Sequence, residues 1–396
     1  MTTAHDPRPI REWSRWVVLI AYSALILATL SLVRALRDLV VERWGERGFS
    51  LAVWALFALV GILFLAWVIR QSVLRSVGRA ALLLLACTAY AYMLLRLDLA
   101  VERLHYIEYG LVAVLALRAF EVQTRDWAAY LLACLYVLGL GLLDEAIQWI
   151  LPTRVGEFRD VNINLTAGVL GLVPVIASRA HPFAFVHRES LARVLRWSAG
   201  VAALTALFLT FVHGFGFMHR SSGHAWFRSV FPPDSFSEYG QHPEAVAYRE
   251  FPDSPISHPG EGPLGWIGQR FLQWRLLRNP TPEAYNYEAW RHRQLRDGLE
   301  TPRYAQYREA LEEERILTRV FGAYLRCYGV AWPENKRRKF ADLPFAGSST
   351  YLSPAQELLI TWVRPEVFWV ASGLVVVALV SASILVGRSG KRSREP

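Results

Sequence analysis

Long apolar runs separated by short arginine-bearing stretches dominate the chain, and their lengths predict membrane-spanning helices. A spanning helix needs about 20 mostly apolar residues. Eight stretches have that character: 15–36, 50–70, 79–97, 99–119, 127–149, 161–178, 194–215 and 366–387. The first is too long for a cleaved secretory leader. It runs into Arg34, Arg37 and Asp38 without a small-residue cleavage site. The expected fold is all-α, a polytopic membrane helical bundle of about eight transmembrane helices.

Basic loops set the expected orientation. The tail after the last run carries Arg388, Lys391, Arg392 and Arg394. The link between runs six and seven carries Arg179, Arg188, Arg193 and Arg196, and the link between runs two and three carries Arg70, Arg75 and Arg79. An even number of crossings places all three on the side of the N-terminus, and basic residues collect in cytoplasmic loops. The opposite short loops also hold arginines, among them Arg34, Arg37, Arg43 and Arg47, so the bias is moderate. The chain is expected in a bacterial plasma (inner) membrane with both termini cytoplasmic, and residues 216–365 then form an extracytoplasmic insertion.

The insertion is nearly neutral and reads as a small, mostly helical domain rich in aromatic residues. Prolines from Pro232 to Pro263 mark an irregular first part. Thr281-Pro282-Glu283 and Thr301-Pro302 each read as a helix start. Leu317, Val320, Phe321, Tyr324 and Tyr328 share one helical stripe that Gly329 ends. Ser353-Pro354-Ala355-Gln356 has the capping-box pattern of a short helix leading into the last span. The expected layout is 1–97 (spans one to three), 98–180 (spans four to six), 181–215 (a cytoplasmic loop and span seven), 216–365 (the outer domain) and 366–396 (span eight and a basic tail).

Composition agrees with this organisation. Of the 396 residues, 53% are hydrophobic and 19% charged, against about 25% charged in soluble domains. That excludes a disordered chain. The net charge of +9 arises from 43 basic and 34 acidic residues, and the first lysine is Lys336. In a membrane protein this excess belongs to cytoplasmic loops, so nucleic acid is not an expected partner. Cys87 and Cys134 fall in apolar runs and only Cys327 lies in a polar stretch, which gives no disulfide framework.

Ionisable groups inside spans are expensive, by at least ~2.5–3.5 kcal/mol at a helix centre, and mark sites. His105 and Glu108 lie three apart on run four and share a face. Asp144, Glu145 and Gln148 occupy the last turns of run five, Arg154 follows in the loop, and Asp160 precedes run six. Asn164, Gly168 and Gly171 continue one polar and small stripe from Asp160. Small residues there admit a neighbouring helix. These groups form either an outward-facing polar pocket or a buried network that fixes helix register. In the pocket, Glu145 or His105 moves a proton as the catalytic candidates. Arg154 grips a phosphate or carboxylate bidentately, with Glu108, Asp144, Gln148, Asp160 and Asn164 as further ligand-binding candidates. In the network, Glu108, Asp144, Arg154 and Asp160 satisfy one another.

The run His105-Tyr106-Ile107-Glu108-Tyr109, then Asp144-Glu145-Ala146-Ile147-Gln148 with Pro152 and Arg154, then Asp160 and Asn164, resembles the VanZ-like integral membrane protein family over about residues 98–180. The family pattern is a His-x-x-Glu-aromatic start, an Asp-Glu-x-x-Gln helix end, a Pro-x-Arg loop and an Asp-x-x-x-Asn helix start. Three positions depart from it. Thr153 stands for a usual Gly, Ala167 for the first helix Gly, and Ile147 for a frequent His, which removes one ligand of any two-histidine metal site. The resemblance implies a cell-envelope membrane protein. The family's namesake is associated with resistance to the glycopeptide antibiotic teicoplanin.

Two further groupings stand apart. His213, His219 and His224 have no zinc-finger or His-Glu-x-x-His spacing and read as a membrane-edge belt. Lys336-Arg337-Arg338-Lys339 reads as a solvated face, or as a docking surface for an acidic partner. No Walker loop, dinucleotide turn, paired-Cys metal site or Gly-x-Ser-x-Gly elbow stands out, so neither cofactor nor metal is expected. Three functions fit: binding or processing an anionic cell-envelope lipid or glycan intermediate, a non-catalytic subunit of a larger membrane complex that docks partners through 216–365, or binding of a glycopeptide antibiotic or peptide.

Overall fold

The computed structural model describes residues 8–71, 75–97, 100–124, 126–151, 156–178, 186–221, 225–233, 235–239, 267–268, 271, 274, 279–300, 307–342, 350–356, 358–360 and 364–392. The chain divides into two compact units. The first, comprising 1–149, 155–206 and 370–396, is helical throughout its regular elements. It contains α1 (Arg8–Arg70), α2 (Val77–Arg96), α3 (Ala100–Phe120), α4 (Ala128–Ile150), α5 (Phe158–Ser178), α6 (Arg188–Phe208) and most of the final helix. α1 is interrupted at Gly45, whose φ of 72° is non-helical. Two of the predicted spans lie within α1.

Seven helical segments are long and apolar enough to cross a membrane: Glu12–Leu30, Ala35–Arg70, Val77–Arg96, Ala128–Ile150, Phe158–Ser178, Arg188–His213 and Pro365–Arg388. They make the chain a multi-pass membrane protein. Seven of the eight expected runs fall in this set, and run four does not. α3 has spanning length, yet Glu102, Arg103, Glu108 and Arg118 keep it out of the apolar set. Its surroundings explain how a polar helix is accommodated. Tyr106, Tyr109, Val112, Ala113, Ala116 and Ala119 are fully buried at the centre of the core. By contrast, large apolar side chains of α1 and α2 such as Leu25, Leu51, Ile62 and Leu84 are exposed, as lipid-facing residues are. The polar helix thus packs one face in the core, and the apolar helices carry large apolar side chains on their exposed faces.

Small residues make the central contact. A Cβ on Gly171 of α5 would sit 2.8 Å from the Cα of Gly110 on α3. Only glycine permits that backbone approach. One turn earlier, a Cβ on Gly168 would meet the Val137 side chain of α4 at 2.8 Å. The small stripe of α5 therefore faces both α3 and α4.

The second unit comprises 150–154 and 207–369. Its longer stretch includes a π-helical turn, Leu209–His213, that ends the helical segment Arg188–His213 and is followed by the strands. These are β1 (Phe215–Arg220) and β2 (Ala225–Ser229), an antiparallel hairpin. The helices are α7 (Phe236–Tyr239), α8 (Pro282–Leu299), α9 (Tyr307–Val320), α10 (Gly322–Tyr328) and α11 (Glu334–Ala341). β3 (Tyr351–Leu352) and β4 (Leu359–Ile360) complete a sheet of order β3-β2-β1-β4, and α12 (Pro365–Arg392) starts at its end. Phe227, Phe231, Tyr285, Ile316, Leu317 and Phe321 form the core.

Helices dominate this unit, but the four-stranded sheet departs from the helical expectation. The hairpin has period-two burial on β2, where Ala225, Phe227 and Ser229 point inward. The helix expected at Ser353 is absent. Ser353 N donates to Trp226 O at 2.8 Å, extending the β2–β3 ladder, and its Oγ accepts from Ala355 N at 3.2 Å. The hydroxyl closes a turn instead of capping a helix. Thr281 does cap α8, accepting from Ala284 N at 3.2 Å. The second Thr-Pro start, at Thr301, lies outside the described residues. The stripe from Leu317 to Tyr328 divides at Phe321 into α9 and α10, and Gly329 closes α10 in the left-handed region (φ 63°).

Candidate functional site

α3, α4 and α5 bring seven of the eight predicted site residues into one cluster: His105, Glu108, Asp144, Glu145, Gln148, Asp160 and Asn164. The eighth, Arg154, lies outside the described residues, as does His224.

On α4 the spacing does the positioning. Asp144, Glu145 and Gln148 fall on adjacent turns, so one amide reaches both carboxylates. Gln148 Nε2 donates to Asp144 Oδ1 at 3.2 Å and to Glu145 Oε1 at 2.8 Å. From α3, the Tyr109 hydroxyl donates to Asp144 Oδ2 at 2.6 Å. The backbone N–H of Glu157 donates to Glu145 Oε2 at 3.0 Å, from the segment entering α5. That return depends on Gly156, because a Cβ there would fall 2.3 Å from Glu145 O. Asp144 and Glu145 are fully buried. Each of their oxygens accepts a hydrogen bond, which holds both carboxylates in fixed orientations.

Other polar atoms have no partner. Asn164 is fully buried, and neither its amide nitrogen nor its amide oxygen is hydrogen-bonded. It abuts Gly141 of α4, where an added Cβ would lie 3.5 Å from the Asn164 Nδ2. Gly141 shares its helix face with Asp144, Glu145 and Gln148, so the open amide borders the carboxylates. Asp160 Oδ1 and His105 Nδ1 are also unpartnered. The His105 ring stacks on Tyr109, with centroids 6.0 Å apart. His105 lies within electrostatic reach of Glu108 and Asp160, and Glu108 within reach of Asp144. Buried polar groups are normally satisfied, so the open Asn164 amide, with the open Asp160 oxygen one helical turn before it, is the feature of this cluster that the chain's own contacts leave unexplained.

Sequence reasoning missed three contributors. Arg159 makes a bidentate pair with Glu102 at 2.9 and 3.1 Å, joining α5 to α3. Their separation of 57 positions leaves no local signal. Tyr109 entered only as the aromatic member of a motif, yet it is the donor that orients Asp144. Gly156 carried no motif weight, and its role appears only where the chain turns back on α4.

The remaining groupings have structural partners. His219 Nε2 lies 2.9 Å from Phe231 O, and its ring stacks on Phe227. The His213 ring packs edge-on against Phe208. On α11, Lys336 pairs with Glu300 and Arg337 Nε with Glu314 at 3.0 Å, while Arg338, paired with Glu334 at 3.1 Å, and Lys339 lie on an exposed face. Among the described residues, no group of three or more His, Cys, Asp or Glu is arranged to hold a metal ion.

No known family model matches the chain, and no curated protein or solved structure matches it.

Proposed function

We propose that this chain is a VanZ-like membrane protein whose α3–α5 cluster binds or processes an anionic cell-envelope lipid or glycan intermediate. The observation that carries the reading is Asn164: a fully buried amide with both polar atoms open, beside two oriented carboxylates. Such an amide with acceptor-rich surroundings suits a ligand bearing hydroxyl or amine groups, as glycans and lipid headgroups do. Arg154 is assigned to the anionic group of that ligand. His105, half-buried with an open ring nitrogen, is the better placed of the two proton-moving candidates, because both oxygens of Glu145 already accept hydrogen bonds. Counting α3 as a crossing gives the even number that the basic loops require. With that count, the basic loops favour both termini in the cytoplasm and 216–365 outside a bacterial plasma membrane.

Full-length protein extracted gently from its own membrane and analysed by native mass spectrometry tests this. The expected result is a retained lipid-linked phosphate or glycan that Arg154→Ala loses while protein amount stays normal. Retention of bulk membrane lipid alone, unchanged by Arg154→Ala, overturns the reading. Stoichiometric protein partners without any such ligand would favour the complex-subunit alternative.

A further inference from the structure

We infer that the ligand of this site carries a primary ammonium as well as its anionic group, and that the carboxylates of α3–α5 with Asn164 form the ammonium subsite. The inference rests on the reading above and narrows its substrate class to amine-bearing phosphate esters.

Charge gives the first argument. Glu108, Asp144, Glu145, Glu157 and Asp160 lie within electrostatic reach of one another in overlapping pairs. Among the described residues, the arginine facing them is Arg159, whose guanidinium is already closed on Glu102 through two hydrogen bonds. Arg103 is turned elsewhere, donating to the carbonyls of Leu94 and Leu97. His105 is the remaining base within reach. Asp144 and Glu145 are adjacent, fully buried, and share the single NH2 of Gln148. Carboxylates placed this way in a membrane-spanning bundle call for a cation or a proton.

Asn164 gives the second, independent argument and decides between these. A proton on one carboxylate would relieve its charge but would leave the Asn164 amide and Asp160 Oδ1 unpartnered. An ammonium donates three hydrogen bonds and accepts none. Asp160 Oδ1 and Asn164 Oδ1 are acceptors without partners, and so is His105 Nδ1 in the Nε2–H tautomer that such a ligand would select. Asn164 Nδ2 then remains to donate to an oxygen of the same ligand. The depth is suitable as well: His105, Glu108, Glu157 and Asp160 are half-buried, whereas Asp144, Glu145 and Asn164 are fully buried behind them.

A lipid headgroup and a soluble amino-sugar phosphate share this chemistry, and calorimetric titration of the full-length protein in detergent distinguishes them. One arm uses dihexanoyl-phosphatidylethanolamine with the phosphatidylcholine and phosphatidylglycerol of the same chains. The other uses glucosamine 6-phosphate against its N-acetylated form. The inference expects the primary amine to bind about tenfold tighter than the analogues that lack a primary ammonium in at least one arm, because a charge-assisted hydrogen bond is lost in each. The preferring arm names the source. Asp160→Asn should bring that preference towards unity. If this variant loses its helical far-UV signal, His105→Gln reads the same ratio. Equal binding of amine and non-amine probes overturns the ammonium subsite and leaves the anionic-ligand reading standing. Binding of none of the probes overturns both.

Discussion

In the unit formed mainly by residues 207–369, Glu288, Glu313 and Glu314 are buried, and every oxygen of these carboxylates meets a donor. Glu314 receives Arg296 at 2.5 Å on one side, with Trp332 N and Arg337 on the other. Glu313 lies between His292 and the Tyr351 hydroxyl, each at 2.6 Å. Glu288 has no cation. It contacts Ser229 Oγ at 2.5 Å and Val230 N at 2.8 Å, and burial pushes its carboxyl up to about 8. Each carboxylate is therefore paired with a base or held largely protonated. In the helical unit, Asp144 and Glu145 are equally buried and equally oriented, but no described arginine contacts them. Asp160 Oδ1 and the Asn164 amide beside them are open. The difference separates two uses of buried charge. Open buried atoms occur in both units, His292 Nε2 among them, so the contrast lies in the carboxylates' bases: Glu313 and Glu314 each face one, and neither Asp144 nor Glu145 does among the described residues.

The strongest way to sharpen the contrast is to open a closed network. Arg296→Ala leaves Glu314 Oε2 without its donor, Arg337 remaining on Oε1, and removes the guanidinium over Trp332, and should cost about 3 kcal/mol. Hydrogen exchange across 282–342 measures it, and an unchanged pattern would show the pair to be dispensable. Gly171→Ala tests the helix contact that frames the other cluster. Its Cβ would press on Gly110, and a cost of about 2 kcal/mol is expected as a lowered melting temperature. The third test uses pH. Glu288 has its folded value raised, so the native state holds a proton that the unfolded chain releases. Its contribution is complete below the unfolded value near 4.5 and is lost as pH rises towards about 8. The slope is up to about 1.4 kcal/mol per pH unit. Glu288→Gln should flatten that slope, seen as unfolding midpoints that converge between acidic and alkaline buffer. The smallest effect is expected at Arg338, which is 76% exposed beside Glu334. Arg338→Ala should change stability by less than about 0.5 kcal/mol in the same melts.

Much of the helical unit is legible in the sequence because lipid and the α-helix impose simple periods. Runs of about 20 apolar residues locate the spans, and i, i+3 and i+4 spacing aligns Asp144, Glu145 and Gln148 as well as Asn164, Gly168 and Gly171. The same rule locates α3, whose Glu102, Arg103 and Glu108 are carried on a helix with one face packed in the core. Long-range pairs such as Glu102–Arg159 leave no periodic trace. The hairpin of β1 and β2 does leave one, in the alternation of Ala225, Phe227 and Ser229, but aromatic and histidine residues there also suit a membrane-edge belt. Strands of two residues, as at Tyr351–Leu352 and Leu359–Ile360, carry no pattern. Ser353 shows how tertiary pairing overrides a local helix-start signal.

The claim that the α3–α5 cluster is a working site is tested most directly at Asn164, whose amide has no hydrogen bond to lose. The measurement is the lipid or glycan that co-purifies with Asn164→Ala, compared with the unsubstituted chain and read beside the melting temperature of each. The account predicts that the ligand is lost while melting is nearly unchanged. A lowered melting temperature with the same co-purifying material as the unsubstituted chain would contradict it and make the cluster a structural network.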